Sequence, residues 1–179
     1  YPEEPVLVQT ADMSEEERAD FLRRLTEDPS PVLGFAVLGG VFSEGIDLKG
    51  DSLIGAAIVS VGLPQLSPER DLMKRHMAKE EGAGFEYAYM YPGLCKVLQA
   101  AGRVIRTESD AGVILLLDER FSQQRYYQLY PPEWHPVITV RPDAVPQALQ
   151  TFWNQIDEEA KALEAKALQK GETDAILFD

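Results

Sequence analysis

Short apolar runs alternate along this sequence with segments that have the pattern of amphipathic helices, and this alternation limits the possible folds. The clearest runs are GAAIVSVGL at 55–63 and GVILLLDERF at 112–121, with VLVQT at 6–10, PVLGFAVLGG at 31–40 and a possible further strand, VITV, at 137–140. Nearly continuous apolar strands separated by helices are typical of parallel sheets that are covered on both faces. We therefore predict an α/β fold with a mainly parallel sheet and helices on both of its faces.

Two of the predicted helices begin at recognisable capping residues. Ser14 precedes a run of acidic residues, which favours a helix start there. Ser67 is followed by Pro68, a residue well suited to the first helical position. Arg70 stands where the acidic or amide partner of a capping box would be, so this second box is predicted to be incomplete. Further helices are predicted over 91–107 and 143–169.

The charge of the chain argues against a broad surface for nucleic acid. Its 179 residues include 17 basic and 30 acidic ones, for a formal net charge of −13. Such a chain repels phosphate overall, so any contact with nucleic acid is expected to be local. No segment approaches the roughly 20 consecutive apolar residues of a membrane span, and the N-terminus has no recognisable signal peptide. We therefore predict no membrane partner.

The few cysteine and histidine residues exclude several kinds of site. Cys95 is the single cysteine, so the chain has no internal disulfide and cannot hold a cysteine-ligated iron–sulfur cluster by itself. His76 and His135 lie far apart without the spacing of metal ligands, and no metal site is predicted. We interpret Cys95 as a buried apolar filler in a cytoplasmic, reducing environment. Because the chain begins with Tyr1, we expect it to be part of a longer protein.

The predicted helix over 91–107 has an unusual polar face. With about 100° between successive residues, Gln99, Arg103 and Arg106 fall within one narrow wedge. Gly102 lies beside them. The opposite side is apolar and comprises Leu94, Val97, Leu98, Ala101 and Ile105. An amide and two fixed cations suit an anion, but a solvated helix face has the same pattern, so the helix alone leaves both interpretations open.

A short polar segment, VFSEGIDLKG, follows the run at 31–40. It places Ser43, Glu44 and Asp47 around Gly45, where neither a helix nor a strand favours so many short polar groups. By composition alone a surface turn is the better interpretation. In a parallel sheet, however, functional groups gather in the loops at the carboxyl ends of strands. The segment therefore becomes a candidate site only in combination with the arginine face.

Together these segments resemble a known family. GGVFSEGIDLKG is similar to motif V, and QAAGRVIR to motif VI, of superfamily-two helicases in the form found in DinG/XPD-type DNA helicases. The LP of VGLPQ, the lead-in YPGLCKVLQAAGRVIR and the following LLLDERF match the same pattern, and the similarity runs from Val6 to Trp134. The resemblance implies a second RecA-like motor domain over 1–156 that lacks its first strand and motif IV. Residues 157–179 are then expected to form a helical or mobile extension.

The resemblance also implies the chemistry of the site. ATP with Mg²⁺ would be held mainly by a first motor domain of the same polypeptide, because this chain has neither a P-loop nor an acidic Walker B strand end. Arg103 and Arg106 would reach the γ-phosphate across the cleft, and Gln99 would bind near it. Asp47, Glu44, Gly45 and Gly102 would form the rest of the nucleotide site. The chain alone is therefore expected to be inactive.

Single-stranded DNA is the second partner that the resemblance implies, in a helicase that unwinds DNA and takes part in DNA repair. Members of the family grip the strand across the tops of both motor domains. The candidates in this chain are Ser43, Gly62 and Gln65, which offer small side chains, hydroxyl or amide groups and backbone N–H groups. A purely structural role is at least as consistent with each of them.

Two other classes of function stay open. The first is a binding or regulatory module with a degenerate motor fold, although the set of Gln99, Arg103 and Arg106 argues against it because a degenerate domain does not need such a set. The second is a free-standing α/β hydrolase or nucleotide enzyme. That class requires a nucleophile elbow or a glycine-rich phosphate loop, and neither G-x-S-x-G nor G-x-G-x-x-G is present.

Overall fold

The computed structural model describes residues 5–44, 53–105, 107 and 110–175 of the chain. Four strands lie in this part of the chain: β1 (Val6–Val8), β2 (Leu33–Phe35), β3 (Gly55–Val59) and β4 (Val113–Leu117). The α-helices are α1 (Glu15–Glu27), α2 (Val41–Glu44), α3 (Pro68–Glu80), α4 (Tyr91–Ala101), α5 (Gln124–Tyr127) and α6 (Val145–Ala175). A π-helical turn, Glu86–Met90, precedes α4, and 3₁₀ turns lie at Glu119–Ser122, Pro132–Trp134 and Pro142–Ala144.

The strands pair in parallel, as the sequence predicts. β1 pairs with β2 in the register Val6↔Leu33, and β3 pairs with β4 in the register Gly55↔Val113. The α/β class is therefore confirmed. Within the described residues, however, the strands form two separate two-stranded sheets, so the prediction of one covered sheet is met only coarsely. Phe35 and Val59 are 55% and 70% exposed, which shows that these strands are not covered on both faces.

Helix α1 packs against β1 and α2 in a hydrophobic core, next to the start of the polar segment. The Ser14 hydroxyl accepts a hydrogen bond from the Glu17 N–H (3.2 Å), and the Glu17 carboxylate accepts one from the Ser14 N–H (2.7 Å), which completes a capping box. This second hydrogen bond lowers the pKa of Glu17. The Phe21 ring stacks on Phe42 of α2 at 4.3 Å, and both side chains are buried together with Leu7. Helix α2 is thus fixed by aromatic packing.

Helix α3 begins as predicted. The Ser67 hydroxyl accepts a hydrogen bond from the Arg70 N–H at 3.3 Å, and Pro68 is the first helical residue. Arg70 supplies no side chain for the reciprocal bond of a capping box. Its guanidinium instead donates to the carbonyl of Ala88 at 2.7 Å, which ties α3 to the π-helical turn.

The prediction of a helix over 91–107 is wrong at its carboxyl end, because α4 ends at Ala101. The N–H groups of Arg103 and Val104 donate to the carbonyls of Ala100 and Ala101, three residues back, so the last turn tightens. Val104 is buried, and its Cγ1 lies within 2.4 Å of where a Cβ on Gly112 would stand. Packing against the start of the next strand therefore ends the helix. Ile105, predicted on the apolar side, is 45% exposed.

The chain divides into two compact units, residues 1–130 and 131–179. In the described part of the second unit, residues 131–175, the elements are the 3₁₀ turns Pro132–Trp134 and Pro142–Ala144 and helix α6. The possible strand at 137–140 is wrong, since these residues are neither helix nor strand and Ile138 is 71% exposed. Pro136 and Pro142 flank the segment, and prolines lack the N–H that a strand ladder needs. The domain boundary after residue 156 stays a prediction.

Two glycines with nearly equal φ angles allow the effect of close packing to be measured separately from that of the positive φ. Gly62 has φ +65° and Gly82 has φ +67°, but a methyl group on Gly62 would lie 2.9 Å from the Gly93 carbonyl oxygen, whereas one on Gly82 meets nothing within 4 Å. We expect Gly82→Ala to cost about 1–2 kcal/mol from the left-handed backbone alone. Gly62→Ala is expected to cost roughly 1–3 kcal/mol more.

Denaturant unfolding of the two variants checks this expectation. Gly82→Ala serves as the control, because it carries the backbone penalty without the contact. Equal losses of unfolding free energy in the two variants would show that the loop after β3 does not pack tightly against α4.

Candidate functional site

The polar face of α4 is only partly the one that the sequence predicts. Gln99 is exposed in the last helical turn, and Gly102 is exposed at its end. Arg103 is half-buried in the tight turn after the helix, not in the helix itself. Leu94, Val97 and Ala101 on the other side are buried, as predicted. Arg106 lies outside the described residues, so the predicted three-residue wedge is described only for Gln99 and Arg103.

Cys95 contradicts its predicted role, because its side chain is exposed. It lies four residues before Gln99, on the solvent side of α4 rather than among the buried residues. A small residue near the boundary of an amphipathic face can lie on either side of the helix. Here Leu94 and Val97 already occupy the buried apolar side.

The polar segment and the α4 face come together at α2. Helix α2 packs against α4 in addition to stacking on α1 through Phe42. Ser43 and Glu44 are the last residues of α2, although their side chains lie outside the description, as do Gly45 and Asp47 entirely. The structure therefore brings the beginning of the polar segment to α4, the helix that carries Gln99, and leaves the predicted contact of Asp47 untested.

The structure adds Lys96 to this polar face. Its side chain runs across the turn before α2, so that a methyl group on Gly39 would lie 2.8 Å from the Lys96 Cδ and 3.2 Å from its Nζ. Gly39 has φ +78°, which glycine adopts without strain. Lys96 precedes Gln99 by three residues and Arg103 by seven, and this helical spacing is the sequence signal that places it on the same face.

Gln9 also acts at this turn, and nothing in the sequence marks it. Its side-chain oxygen accepts a hydrogen bond from the Val37 N–H at 2.8 Å. The backbone N–H of Gln9 donates to the Phe35 carbonyl, also at 2.8 Å. The Gly40 N–H then donates to the carbonyl of Val37 at 2.9 Å. The end of β1 thus fixes the turn that leads from β2 into α2.

The loop over 60–65 contains two predicted DNA contacts. Gly62 lies against Gly93 in the first turn of α4, where a methyl group on Gly93 would stand 2.6 Å from the Val61 carbonyl oxygen. Gln65 is exposed just before the Ser67 cap. Six residues separate Gly93 from Gln99, which corresponds to about 9 Å along the helix axis. The loop therefore packs against the first turn of α4, whereas Gln99 lies in its last turn.

A charged cluster lies at the carboxyl ends of β3 and β4. The Arg120 guanidinium donates to both oxygens of Asp118, from Nε at 2.9 Å and from Nη2 at 2.7 Å. The same Nη2 donates to the Ser60 hydroxyl at 3.2 Å. Hydrogen bonding from Arg120 lowers the pKa of Asp118 to about 2, so the carboxylate is charged at neutral pH. The sequence marks these residues only as part of LLLDERF.

Neither a metal nor a membrane site is found in the part of the chain that the structure describes. No group of three or more His, Cys, Asp or Glu side chains among those residues is placed to bind an ion. Among the described helices, none combines the length and apolar character that crossing a bilayer requires.

The order of the polar segment, the α4 face and the strands matches a known domain. A family model described as the helicase C-terminal domain matches residues 2–137. This chain belongs to that family. A solved structure named XPD_APO has a TM-score of 0.55 and 24% identity to this helicase domain, covering 70% of this chain and 26% of that one, and it supports the fold.

Several curated proteins are similar to this helicase domain. The "ATP-dependent DNA helicase DinG" of Photobacterium profundum is 36% identical over 49% of this chain. The "Regulator of telomere elongation helicase 1 homolog" of Caenorhabditis elegans is 30% identical over 77%, and the "General transcription and DNA repair factor IIH helicase subunit XPD/RAD3" of Saccharomyces cerevisiae is 30% identical over 72%. The domain is thus of the DinG/XPD type. It spans 13%, 15% and 16% of the length of these three relatives.

Proposed function

We propose that this chain is the C-terminal motor domain of an ATP-dependent DNA helicase that unwinds DNA. In the full-length protein the two parallel strand pairs belong to one RecA-like sheet, and a first motor domain holds ATP and Mg²⁺. This chain supplies Gln99, Arg103 and Arg106 to the nucleotide across the cleft. Asp47, with Glu44, Gly45 and Gly102, completes the nucleotide site.

The packing of α2 against α4 is the observation that carries this proposal. It brings the first residues of the motif V segment to the helix of motif VI, which is the arrangement that a shared nucleotide site needs. Gln99 is exposed in the last turn of α4, and Arg103, four residues later, is half-buried in the tight turn that follows the helix. Lys96, held against Gly39, adds a third polar group to that face.

The chemistry suits residues of these types. Phosphoryl transfer depends mainly on positioning and on stabilising charge on the transferred phosphate, so a guanidinium that arrives only when two domains close couples hydrolysis to motion. Arginine offers a planar fork to phosphate oxygens, whereas lysine offers a point charge. Release of the phosphate removes the partner of the arginines and allows the domains to separate.

Single-stranded DNA is proposed to cross the loop over 60–65 and the end of α2. Ser43, Gly62 and Gln65 are the contacting residues, through backbone N–H groups and small side chains. Because the chain carries a net charge of −13, most phosphate contacts come from the rest of the protein.

Gln99→Ala in the full-length protein tests the nucleotide site directly. We expect DNA-stimulated ATP turnover to fall by about 10², the cost of removing one positioned hydrogen-bonding group. DNA binding without nucleotide should persist. Gln128→Ala is the matched control, because Gln128 is an exposed glutamine in the same compact unit.

Two outcomes would contradict the proposal. Equal turnover in the Gln99 and Gln128 variants would remove the α4 face from the nucleotide site. A full-length protein that binds DNA but hydrolyses no ATP would favour the alternative, a regulatory module with a degenerate motor fold.

A further inference from the structure

The cluster of Ser60, Asp118 and Arg120 joins the ends of β3 and β4 through a hydrogen bond between residues 60 positions apart in sequence. Both oxygens of Asp118 are engaged by the Arg120 side chain, and Asp118 Oδ1 also accepts from the Arg120 N–H at 2.9 Å. The Asp118 side chain is 13% exposed and that of Arg120 is 32% exposed. A partly buried, bidentate pair holds its guanidinium in one orientation, which a solvated ion pair does not.

In that orientation Arg120 donates a hydrogen bond to a residue whose backbone conformation is unusual. Ser60 has φ +71° and, in the part of the chain that the structure describes, is the single residue other than glycine with a positive φ. Such a conformation persists only when surrounding contacts impose it, and it occurs often at functional sites. Two contacts hold it here, the Ser60 N–H on the Leu117 carbonyl at 3.3 Å and Arg120 on the hydroxyl at 3.2 Å.

The positive φ of Ser60 redirects the chain from β3 into the loop over 60–65. Val61 is completely buried, and Gly62 also has a positive φ, +65°. The loop then meets the first turn of α4 at Gly93, with no room for a side chain on either glycine. The direction in which the loop leaves the sheet therefore depends on Ser60, and its far side rests on the helix that carries Gln99.

We propose that the Asp118/Arg120 pair is a positioning device that holds the loop over 60–65, through the Ser60 hydroxyl, in the conformation that binds single-stranded DNA. The part of this inference that concerns DNA rests on the proposed function. Neither Asp118 nor Arg120 touches the strand or the nucleotide. They act through Ser60, and their loss changes the affinity for DNA, not the chemical step.

The test compares four variants of the full-length protein. Arg120→Gln removes the charge and the fork, and Arg120→Lys keeps the charge but reaches only one partner. Ser60→Gly removes the hydroxyl while accepting the positive φ. Arg141→Gln is the matched control, because Arg141 pairs with Asp143 at the same two-residue spacing but with both side chains mostly exposed, 82% and 68%.

Two readouts are taken on each variant. The first is ATP turnover as a function of the concentration of single-stranded oligothymidylate. We expect Arg120→Gln and Ser60→Gly to raise the half-saturating concentration by about tenfold, the equivalent of one lost charged hydrogen bond. Turnover at saturating DNA should stay within about twofold of wild type. Arg120→Lys should be intermediate, and Arg141→Gln should match wild type.

The second readout is hydrogen exchange in peptides that cover 60–66, which needs neither ATP nor DNA. Exchange is expected to accelerate in Arg120→Gln and to stay unchanged in Arg141→Gln. Unchanged exchange in Arg120→Gln would overturn the positioning role. Accelerated exchange with an unchanged half-saturating concentration would overturn the link to DNA. If wild-type turnover does not respond to DNA at all, the proposed function fails, and hydrogen exchange still decides whether the pair positions the loop.

Discussion

In the full-length protein, replacing Arg103 with alanine is expected to lower DNA-stimulated ATP turnover by about 10³, the scale found for arginine fingers. Arg106→Ala should have an effect of the same size. The reason is that each guanidinium is proposed to stabilise charge on the transferred phosphate, and alanine offers no cation in its place. Steady-state turnover at saturating DNA and ATP measures the loss.

Three further measurements on the same preparations separate a chemical role from a structural one. The free energy of unfolding should change by no more than about 1 kcal/mol, since Arg103 lies in a half-buried turn at the helix end and not in the core. Single-stranded DNA binding without nucleotide should persist. Arg103→Lys should restore only part of the rate, because the charge returns without the fork. Near-normal turnover in both alanine variants would end the arginine-finger hypothesis.

The 179-residue chain by itself is expected to show no ATP turnover above background and to bind ATP weakly at best. It contains no P-loop, the element that holds the phosphates in such motors. A phosphate-release assay on the isolated chain, with the full-length protein as the positive control, measures this. Robust hydrolysis by the chain alone would place the active site elsewhere.

Much of the local structure was predictable from the sequence. Ser14 and Ser67 begin α1 and α3 as expected, and the incomplete box at Arg70 is also as expected. Motifs V and VI identified the family that the match over 2–137 then showed. These features depend on interactions between residues three or four positions apart or on short contiguous motifs, so the sequence pattern contains the information directly.

The roles of the candidate site residues stay predictions. Gln99 lies in the last turn of α4 and Arg103 in the turn after it. Their contact with ATP stays a prediction, because it depends on the proposed first motor domain. Gly45, Asp47 and Arg106 lie outside the described residues, so their positions stay predictions. That Ser43, Gly62 and Gln65 contact DNA also stays a prediction. The strand that they would bind is shared with the rest of the proposed full-length protein.

What the sequence determined by itself is the α/β class with parallel strands, the helix starts and the family. The tertiary structure decided where α4 ends, which way Cys95 faces, and which distant residues meet. Val104 packs near Gly112 where the helix ends, and the Lys96 side chain lies against Gly39 in the turn before α2. Helix α2 is itself stacked on α1 through Phe42. Arg120 reaches Ser60 only because β3 and β4 pair in parallel with Val59 opposite Leu117. Contacts of this kind join residues far apart in the chain. Helical or strand periodicity does not predict them, because it indicates only the face of an element on which a residue lies.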